Sequence, residues 1–183
     1  MNRCFRSSGF SLVELIIAII VMGIIGAIAM SRILNANAFN VITAREQIVS
    51  VLRMAQQRAI GHEDVVFTLR PVADELVITL EASGFDIIDP VRTPLATVGI
   101  RSDSNNLTSC STPPDPANAI TNLKPLIVEF DALGDLKNGG VVDGAPTYPT
   151  SITTGMRICL NNDPLMSICV SAAGFAYVGD CDA

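Results

Sequence analysis

The chain opens with a long apolar stretch that contains a single carboxylate. From residue 15 to residue 30 every position is apolar or glycine, and three further apolar residues precede this run: Phe10, Leu12 and Val13. Together they approach the ~20 residues that a helix needs to cross a bilayer. Glu14 is the only charged residue inside the stretch. Because a charge in lipid is costly, Glu14 is a candidate functional residue that needs a partner.

A different pattern follows between residues 31 and 60 and predicts an amphipathic helix. Apolar residues recur there at spacings of three, four or seven: Val41, Ile48, Leu52, Ala55 and Ala59. Gly61 is a suitable C-cap. Since no proline occurs between Phe10 and Ile60, we expect one helix of about 50 residues, about 75 Å long at 1.5 Å per residue. Its second half is expected to pack its apolar face on the domain that follows.

After residue 64 the pattern changes to short runs typical of β-strands. Residues 65–70 and 76–80 predict a hairpin. Further strands are predicted at residues 97–101, 126–130, 156–160, 167–171 and 175–178. Segments 102–118 and 138–150 are rich in turn residues and predict long surface loops. The whole predicts an α+β fold, in which a long N-terminal helix packs on an antiparallel β-sheet domain.

Length and charge narrow the functional classes. A chain of 183 residues accommodates the apolar segment and one domain of ordinary size. The net charge of −6 and the pI of about 4.6 are unlike those of nucleic-acid-binding surfaces, which cluster Lys and Arg. We therefore expect no nucleic-acid partner.

The apolar stretch has two ordinary interpretations. In one it is a membrane-spanning helix. In the other it is a secretory signal peptide, with Arg3 and Arg6 as the basic region and residues 27–29, Ala-Ile-Ala, as the cleavage site. The second interpretation predicts a soluble periplasmic binding or adhesive module released after Ala29. In the first, the two arginines keep the N-terminus cytoplasmic.

The residues around Gly9 favour the membrane helix. A short basic leader ends in Gly9, and the sequence Phe-Ser-Leu-Val-Glu from Phe10 to Glu14 follows, then the apolar run. This arrangement resembles the class III signal of type IV prepilins. The resemblance implies that a prepilin peptidase/methyltransferase cuts after Gly9 and N-methylates Phe10. Ser31 stands where many family members carry proline, so no proline kink is expected there.

The same resemblance implies an assembly role for Glu14. Cleavage exposes an amine at Phe10, and the Glu14 carboxylate of one subunit would pair with the amine of a neighbouring pilin or pseudopilin, since a buried charge is tolerable only when paired. The expected parts are a leader (1–9), a transmembrane assembly segment (10–30), an amphipathic helix (31–60) and an extracytoplasmic β-rich domain (61–183). The expected location is the bacterial inner membrane in a single pass, with the C-terminal domain periplasmic, and then a pilus or pseudopilus.

Two segments of the β-rich part carry a second resemblance. Residues 128–134, Val-Glu-Phe-Asp-Ala-Leu-Gly, and residues 174–179, Gly-Phe-Ala-Tyr-Val-Gly, are similar to those of GspH/FimT-type minor pilins and pseudopilins. The resemblance implies a low-copy subunit that starts or caps a filament. That filament is either a type IV pilus, including the mannose-sensitive haemagglutinin type, or a type II secretion pseudopilus. A long cysteine-bearing loop and a C-terminal disulfide favour the pilus. Some FimT-type relatives capture DNA, which the acidic charge disfavours here.

The cysteines agree with an extracytoplasmic domain. Removing the leader removes Cys4 and leaves four cysteines: Cys110, Cys159, Cys169 and Cys181. An even number in an oxidising compartment indicates disulfides, with three pairings open. Turn residues 161–164 predict a hairpin that brings Cys159 opposite Cys169, so we predict Cys159–Cys169 and Cys110–Cys181. A chain with no C-x-x-C and one histidine is a poor candidate for structural zinc.

The sequence offers little for catalysis, and we predict no enzyme and no cofactor. His62, the only histidine, lies at the predicted helix end, where a surface role is favoured over that of a catalytic base. Oxygen ligands crowd a glycine-rich turn: Asp131, Asp135, Asn138 and Asp143. Their spacing does not match a calcium loop, so they are predicted to be solvated turn residues.

Overall fold

The computed structural model of the chain describes residues 12–33, 36–62, 65–82, 90–94, 100–104, 119–142, 150–161, 163–179 and 181. The chain divides into two compact units, Met1–Ala36 and Asn37–Ala183. Helix α1 (Leu12–Ile33) lies in the first unit, and helix α2 (Ala36–Ala59) begins at the boundary and belongs to the second. The predicted helix is thus present on both sides of residues 34 and 35, which lie outside the described residues.

The second unit contains two antiparallel sheets. Its described strands are β1 (Val65–Val72), β2 (Glu75–Ala82), β3 (Val91–Pro94), β4 (Ile100–Ser104), β5 (Leu126–Phe130), β6 (Leu136–Val141), β7 (Thr150–Ser151), β8 (Gly155–Leu160), β9 (Ile168–Ser171) and β10 (Ala176–Val178). One sheet has six strands in the order β3-β2-β1-β5-β6-β7, and the other has four in the order β10-β9-β8-β4. The predicted α+β class, a helix packed on antiparallel sheet, is confirmed.

Helix α2 packs through the stripe that its sequence predicted. Every member of that stripe is buried in the core of the unit: Val41, Ile48, Leu52, Ala55 and Ala59. The helix ends at Ala59, and Gly61 follows as the expected cap with a φ of +82°. The Gly61 N–H donates to the Ala132 carbonyl at 2.9 Å, so the cap also fixes the helix end to the turn after β5.

The hairpin of β1 and β2 is confirmed, and its strand β1 is one of the two central strands of the larger sheet. The register joins Val72 to Glu75 and leaves Ala73 and Asp74 as a two-residue turn. Ala73 has a φ of +54°, the left-handed conformation that such turns require. On its other side β1 pairs with β5, so Phe67 and Leu69 of β1 are fully buried.

The predicted loop over residues 138–150 is wrong in its first part, because residues 138–141 belong to β6. The Gly139-Gly140 pair suggested a turn, but the strand continues through both glycines. A Cβ at Gly139 would lie 2.9 Å from the sulfur of Met156 in β8. Glycine therefore serves here to let β6 approach β8 of the other sheet. Residues 143–149 lie outside the described residues.

Candidate functional site

The first candidate site is the N-terminal part of α1. Glu14 is exposed in the first turn of this helix, where a carboxylate interacts favourably with the helix dipole. Apolar side chains surround it along the described part of the helix, all exposed: Leu12, Val13, Leu15, Ile16, Ile17, Ile19, Ile20, Val21, Met22, Ile24 and Ile25. An exposed apolar surface of this kind marks a binding surface. The predicted processing residues Gly9 and Phe10 lie outside the described residues.

The described helices also differ from a membrane span in length or polarity. Helix α1 has 22 residues. Across the part of the chain that the structure describes, no helix meets both the length and the apolar character that crossing a membrane demands.

The second candidate site is a junction between α2 and two turns, which we call the helix–turn junction and define by Gln56, Gly134 and Gly174. The Gln56 side-chain amide donates to the Ala173 carbonyl at 2.8 Å. Gly174 packs so closely that a Cβ there would overlap the Gly134 carbonyl oxygen. The two segments with the second sequence resemblance therefore meet in space, although some 40 residues separate them.

Arg53 extends this junction along α2. Its Nε donates to the Ala176 carbonyl at 2.9 Å, and its guanidinium lies 5.5 Å from the centre of the Phe175 ring. Phe175 in turn stacks on Tyr177, with 6.2 Å between ring centres. Phe175 is 52% exposed and Leu133, in the other turn, is 78% exposed. Exposed aromatic and aliphatic residues beside an arginine are typical of a protein contact surface.

The disulfides differ from the predicted pairing. Cys169 pairs with Cys181, with 5.5 Å between their Cα atoms, so the predicted Cys159–Cys169 and Cys110–Cys181 pairs are wrong. The reason is the strand register, which sets Cys169 of β9 opposite Arg157 of β8 and leaves Cys159 on a diagonal. Diagonal neighbours are too far apart for a disulfide. Cys159 is also disulfide-bonded, and Cys110 lies outside the described residues.

The Cys169–Cys181 disulfide closes the C-terminal segment onto a buried arginine. Arg157 is 1% exposed, and its Nη2 donates to the Ser167 hydroxyl at 3.0 Å. That hydroxyl donates to the Gly179 carbonyl at 3.0 Å, and the Gly179 N–H donates to the Ser167 carbonyl at 3.2 Å. Because a buried guanidinium is tolerated only when hydrogen-bonded, the segment held by the disulfide helps to keep Arg157 in place.

We expect the double variant Cys169→Ser/Cys181→Ser to lose about 3 kcal/mol of unfolding free energy, because the open loop gains entropy in the unfolded chain. Urea unfolding of the full chain measures this loss. Cys4→Ser is the control and should leave the midpoint unchanged, since Cys4 does not belong to the second unit, Asn37–Ala183, which contains the disulfide. An unchanged midpoint in the double variant would contradict a stabilising role for this disulfide.

The acidic turn after β5 is built around Asp131. Its Oδ1 accepts the N–H groups of Leu133 and Asp135, both at 2.9 Å. Asn138 donates to Glu129 Oε2 at 2.6 Å instead of facing this turn. Within the described residues no group of side chains is arranged to hold a metal ion; Asp143 lies outside them. Asp131 is thus a turn-forming residue, as predicted.

Two arginines that the sequence did not single out prove central to these sites. In the sequence Arg53 is one of several polar residues of α2, and Arg157 lies within the run 156–160 that predicts a strand. The signal for Arg157 is its place in a run of apolar residues, Gly-Met-Arg-Ile-Cys-Leu, that the structure buries throughout. His62 is exposed just beyond the end of α2, where the sequence predicted a surface residue.

A comparison with protein families identifies the class of the N-terminal segment. Residues 4–30 match the family model described as the prokaryotic N-terminal methylation motif. The match includes residues 9–14 and the apolar stretch, and it confirms the resemblance to prepilins. It supports a type IV pilin-like or pseudopilin-like protein, and the motif is that of structural proteins of this kind. No curated protein and no solved structure matches the chain.

The motif carries three general implications. It implies processing by prepilin peptidase and assembly with other pilin subunits. It also suggests a membrane-anchored pilin. These implications concern the N-terminal segment, since the match ends at residue 30.

Proposed function

We propose that the chain is a minor type IV pilin-like subunit that prepilin peptidase cuts after Gly9 and that starts or caps a pilus filament. The observation that carries this proposal is the methylation motif over residues 4–30. Most of this motif lies in α1, whose described apolar side chains are exposed. A filament subunit needs such an apolar helix, because contacts between the helices of neighbouring subunits hold the filament together.

Assembly would use the charge at Glu14. The carboxylate lies in the first turn of α1 among exposed apolar side chains. In an apolar bundle an unpaired carboxylate costs roughly 2.5–3.5 kcal/mol. The N-terminal amine that cleavage creates on a neighbouring pilin subunit is the expected partner, since pairing removes this cost. Glu14 thereby makes association more favourable than isolation in lipid.

The proposed topology places the N-terminus in the cytoplasm and the domain from residue 61 in the periplasm. Arg3 and Arg6 lie on the cytoplasmic side of the apolar stretch. Their removal with the leader leaves 10 Lys and Arg against 18 Asp and Glu. The Cys169–Cys181 disulfide fits an oxidising compartment.

The experiment that tests the proposal is the intact mass and N-terminal sequence of the protein isolated from its own cell envelope. We expect a chain that begins with N-methylated Phe10 and stays in the membrane fraction. A soluble chain beginning at Met30 would contradict the proposal and support a periplasmic binding or adhesive module released after Ala29. A Gly9→Leu variant should retain the leader, because a larger side chain at the residue before the cut prevents cleavage.

The main alternative is a minor pseudopilin of a type II secretion system, which carries the same kind of N-terminal signal. Mass spectrometry of sheared surface filaments distinguishes the two machines. We expect the chain in pili. Its absence from pili, together with loss of secreted proteins when the chain is removed, would support the pseudopilus.

A further inference from the structure

A cavity of about 350 Å³ lies where the end of α2 meets the end of β2. Its described lining residues come from the last turn of α2, from the cap that follows and from the last residue of β2. They are Gln57, Arg58, Ile60, His62 and Ala82. We call this cavity the α2-end pocket. Its volume falls in the range of about 300–1,000 Å³ that is usual for small-molecule sites.

Backbone hydrogen bonds fix the walls of the α2-end pocket. The His62 N–H donates to the Ala59 carbonyl at 2.9 Å and closes the end of the helix. The Gly61 N–H holds the same cap to the turn after β5. Ala82 is held by its pairing with Val65, which is fully buried. Because these walls are already ordered, a ligand loses less entropy on binding.

Part of the pocket surface is apolar and exposed. Ile60 is 60% exposed, and Ala82 at the end of β2 adds a second apolar group. A ligand that covers Ile60 with an apolar body removes this side chain from water, which is the main favourable contribution to association. The α2-end pocket therefore favours a ligand with an apolar body.

The polar part of the pocket is dominated by Arg58. Its exposed guanidinium forms no hydrogen bond or ion pair within the part of the chain that the structure describes. The planar fork of a guanidinium matches the two oxygens of a carboxylate. The Gln57 amide, which also lines the pocket, offers a further donor. These groups favour a ligand with a carboxylate.

No described lining residue is acidic. Glu81 precedes Ala82 in β2, but successive residues of a strand point to opposite faces, and Glu81 pairs with Val66 on the other face. Residues 63 and 64 lie outside the described residues. In a chain with a net charge of −6, the α2-end pocket is thus a local site where a negative group meets a positive one.

The position at a helix end also affects an anion. The C-terminal end of a helix carries the negative end of the dipole, which by itself disfavours a carboxylate. Here the Ala59 carbonyl is already used by the His62 N–H, and Arg58 in the last turn places a full positive charge beside the pocket. The full charge outweighs the partial charge of the dipole, which is about half an elementary charge.

We propose that the α2-end pocket binds a small organic acid with one carboxylate and an aromatic or branched apolar body. The Arg58 guanidinium binds the carboxylate, and the apolar body covers Ile60 and Ala82. The pocket lies entirely within the second unit, Asn37–Ala183. The site therefore adds a binding activity that does not depend on assembly into a filament.

Photolabelling of the full chain in phospholipid nanodiscs tests the site. The probe is 4-benzoylbenzoate, an aromatic carboxylate whose ketone bonds to nearby C–H groups under ultraviolet light. Mass spectrometry of the digested chain should place the label within residues 57–62 or at Ala82. Label confined to α1, whose described apolar side chains are exposed, would overturn the proposal.

A second probe tests the recognition of the carboxylate. The compound 4-methylbenzophenone has the same apolar body without the charge. It should label the α2-end pocket about fivefold less, which is the upper range for an exposed ion pair. Equal labelling of the pocket by the two probes would contradict the proposed role of Arg58.

Variants at Arg58 test the same contact from the side of the protein. Arg58→Gln should lower labelling by 4-benzoylbenzoate about fivefold and leave labelling by 4-methylbenzophenone unchanged. The control Arg70→Gln removes the same charge at another exposed position and should have no effect. Thermal unfolding checks that both variants are folded, as exposed substitutions normally are. Unchanged labelling of a folded Arg58→Gln variant would overturn the proposal.

The apolar wall is tested by shortening Ile60. Ile60→Ala should lower labelling by both probes about threefold, because less apolar surface is covered. Leu165→Ala shortens a side chain that is 75% exposed and does not line the pocket, so it should have no effect. Equal labelling of the Ile60→Ala variant and the unchanged chain would show that the apolar body does not cover Ile60.

The N-terminal sequence of the labelled chain separates this proposal from the proposed function. If the chain begins at Phe10 and the pocket is not labelled, the ligand site is wrong and the pilin-like function stands. If the chain begins at Met30 and the pocket is labelled in the way described, the pilin-like function is wrong and the ligand site stands.

Discussion

Replacement of Glu14 by valine should leave the chain cleaved and membrane-retained, yet remove it from filaments. The substitution makes α1 more apolar, so insertion and cleavage have no reason to suffer. It leaves the N-terminal amine of the neighbouring pilin subunit without a partner in an apolar bundle. A cost of roughly 2.5–3.5 kcal/mol corresponds to a loss of incorporation on the order of 100-fold. The ratio of chain in sheared filaments to chain in membranes measures the loss.

Two variants make this test specific. Glu14→Asp keeps the charge with a shorter side chain and should retain most of the incorporation. Val13→Ile changes an exposed apolar neighbour of Glu14 and should have no effect. Normal incorporation of the Glu14→Val variant would rule out the proposed assembly role of this carboxylate.

The second large effect is expected at Gly174 in the helix–turn junction. Gly174 has a φ of +75°, and a Cβ there would overlap the Gly134 carbonyl and approach the Gln56 amide. Gly174→Ala therefore combines backbone strain with a clash against rigid backbone. We expect a loss of about 4 kcal/mol in the free energy of unfolding. Urea unfolding of the full chain measures it.

Gly61→Ala is the matched control for this prediction. Gly61 has a similar φ of +82°, but nothing lies within 4 Å of the position that its Cβ would take. Only the conformational cost remains, and it is about 1 kcal/mol. If both variants lose the same stability, the close packing at Gly174 does not matter, and the helix–turn junction would not be a rigid contact.

The elements that depend on local periodicity were predictable from the sequence. The apolar stripe of α2 gave both the helix and its buried face, and Gly61 gave its end. The hairpin of β1 and β2 followed from two β-type runs around a short turn. In each case the residues that determine the element are close together in the chain, so the local sequence pattern is sufficient to predict it.

Features that depend on contacts between distant residues were not predictable in this way. The cysteine pairing depends on the register of β8 and β9, which sets Arg157, and not Cys159, opposite Cys169. Gly139 looked like a turn residue because the approach of Met156 from the other sheet is invisible in the local sequence. The two glycines of the helix–turn junction gave the same difficulty. Gly174 packs on the backbone of Gly134, and a Cβ at Gly134 would approach Gln56 and Ile60, all of them distant in the sequence.

The Cys169–Cys181 disulfide also has a mechanical consequence for a subunit of a filament. Strand β10 lies between these two cysteines in the sequence. Tension applied at Cys181 would therefore pass through the sulfur bridge directly to β9, in the middle of its sheet, and would bypass β10. Without the disulfide, such a load would break the hydrogen bonds of the edge strand β10 one after another. With it, the covalent bond between the two sulfur atoms carries the load.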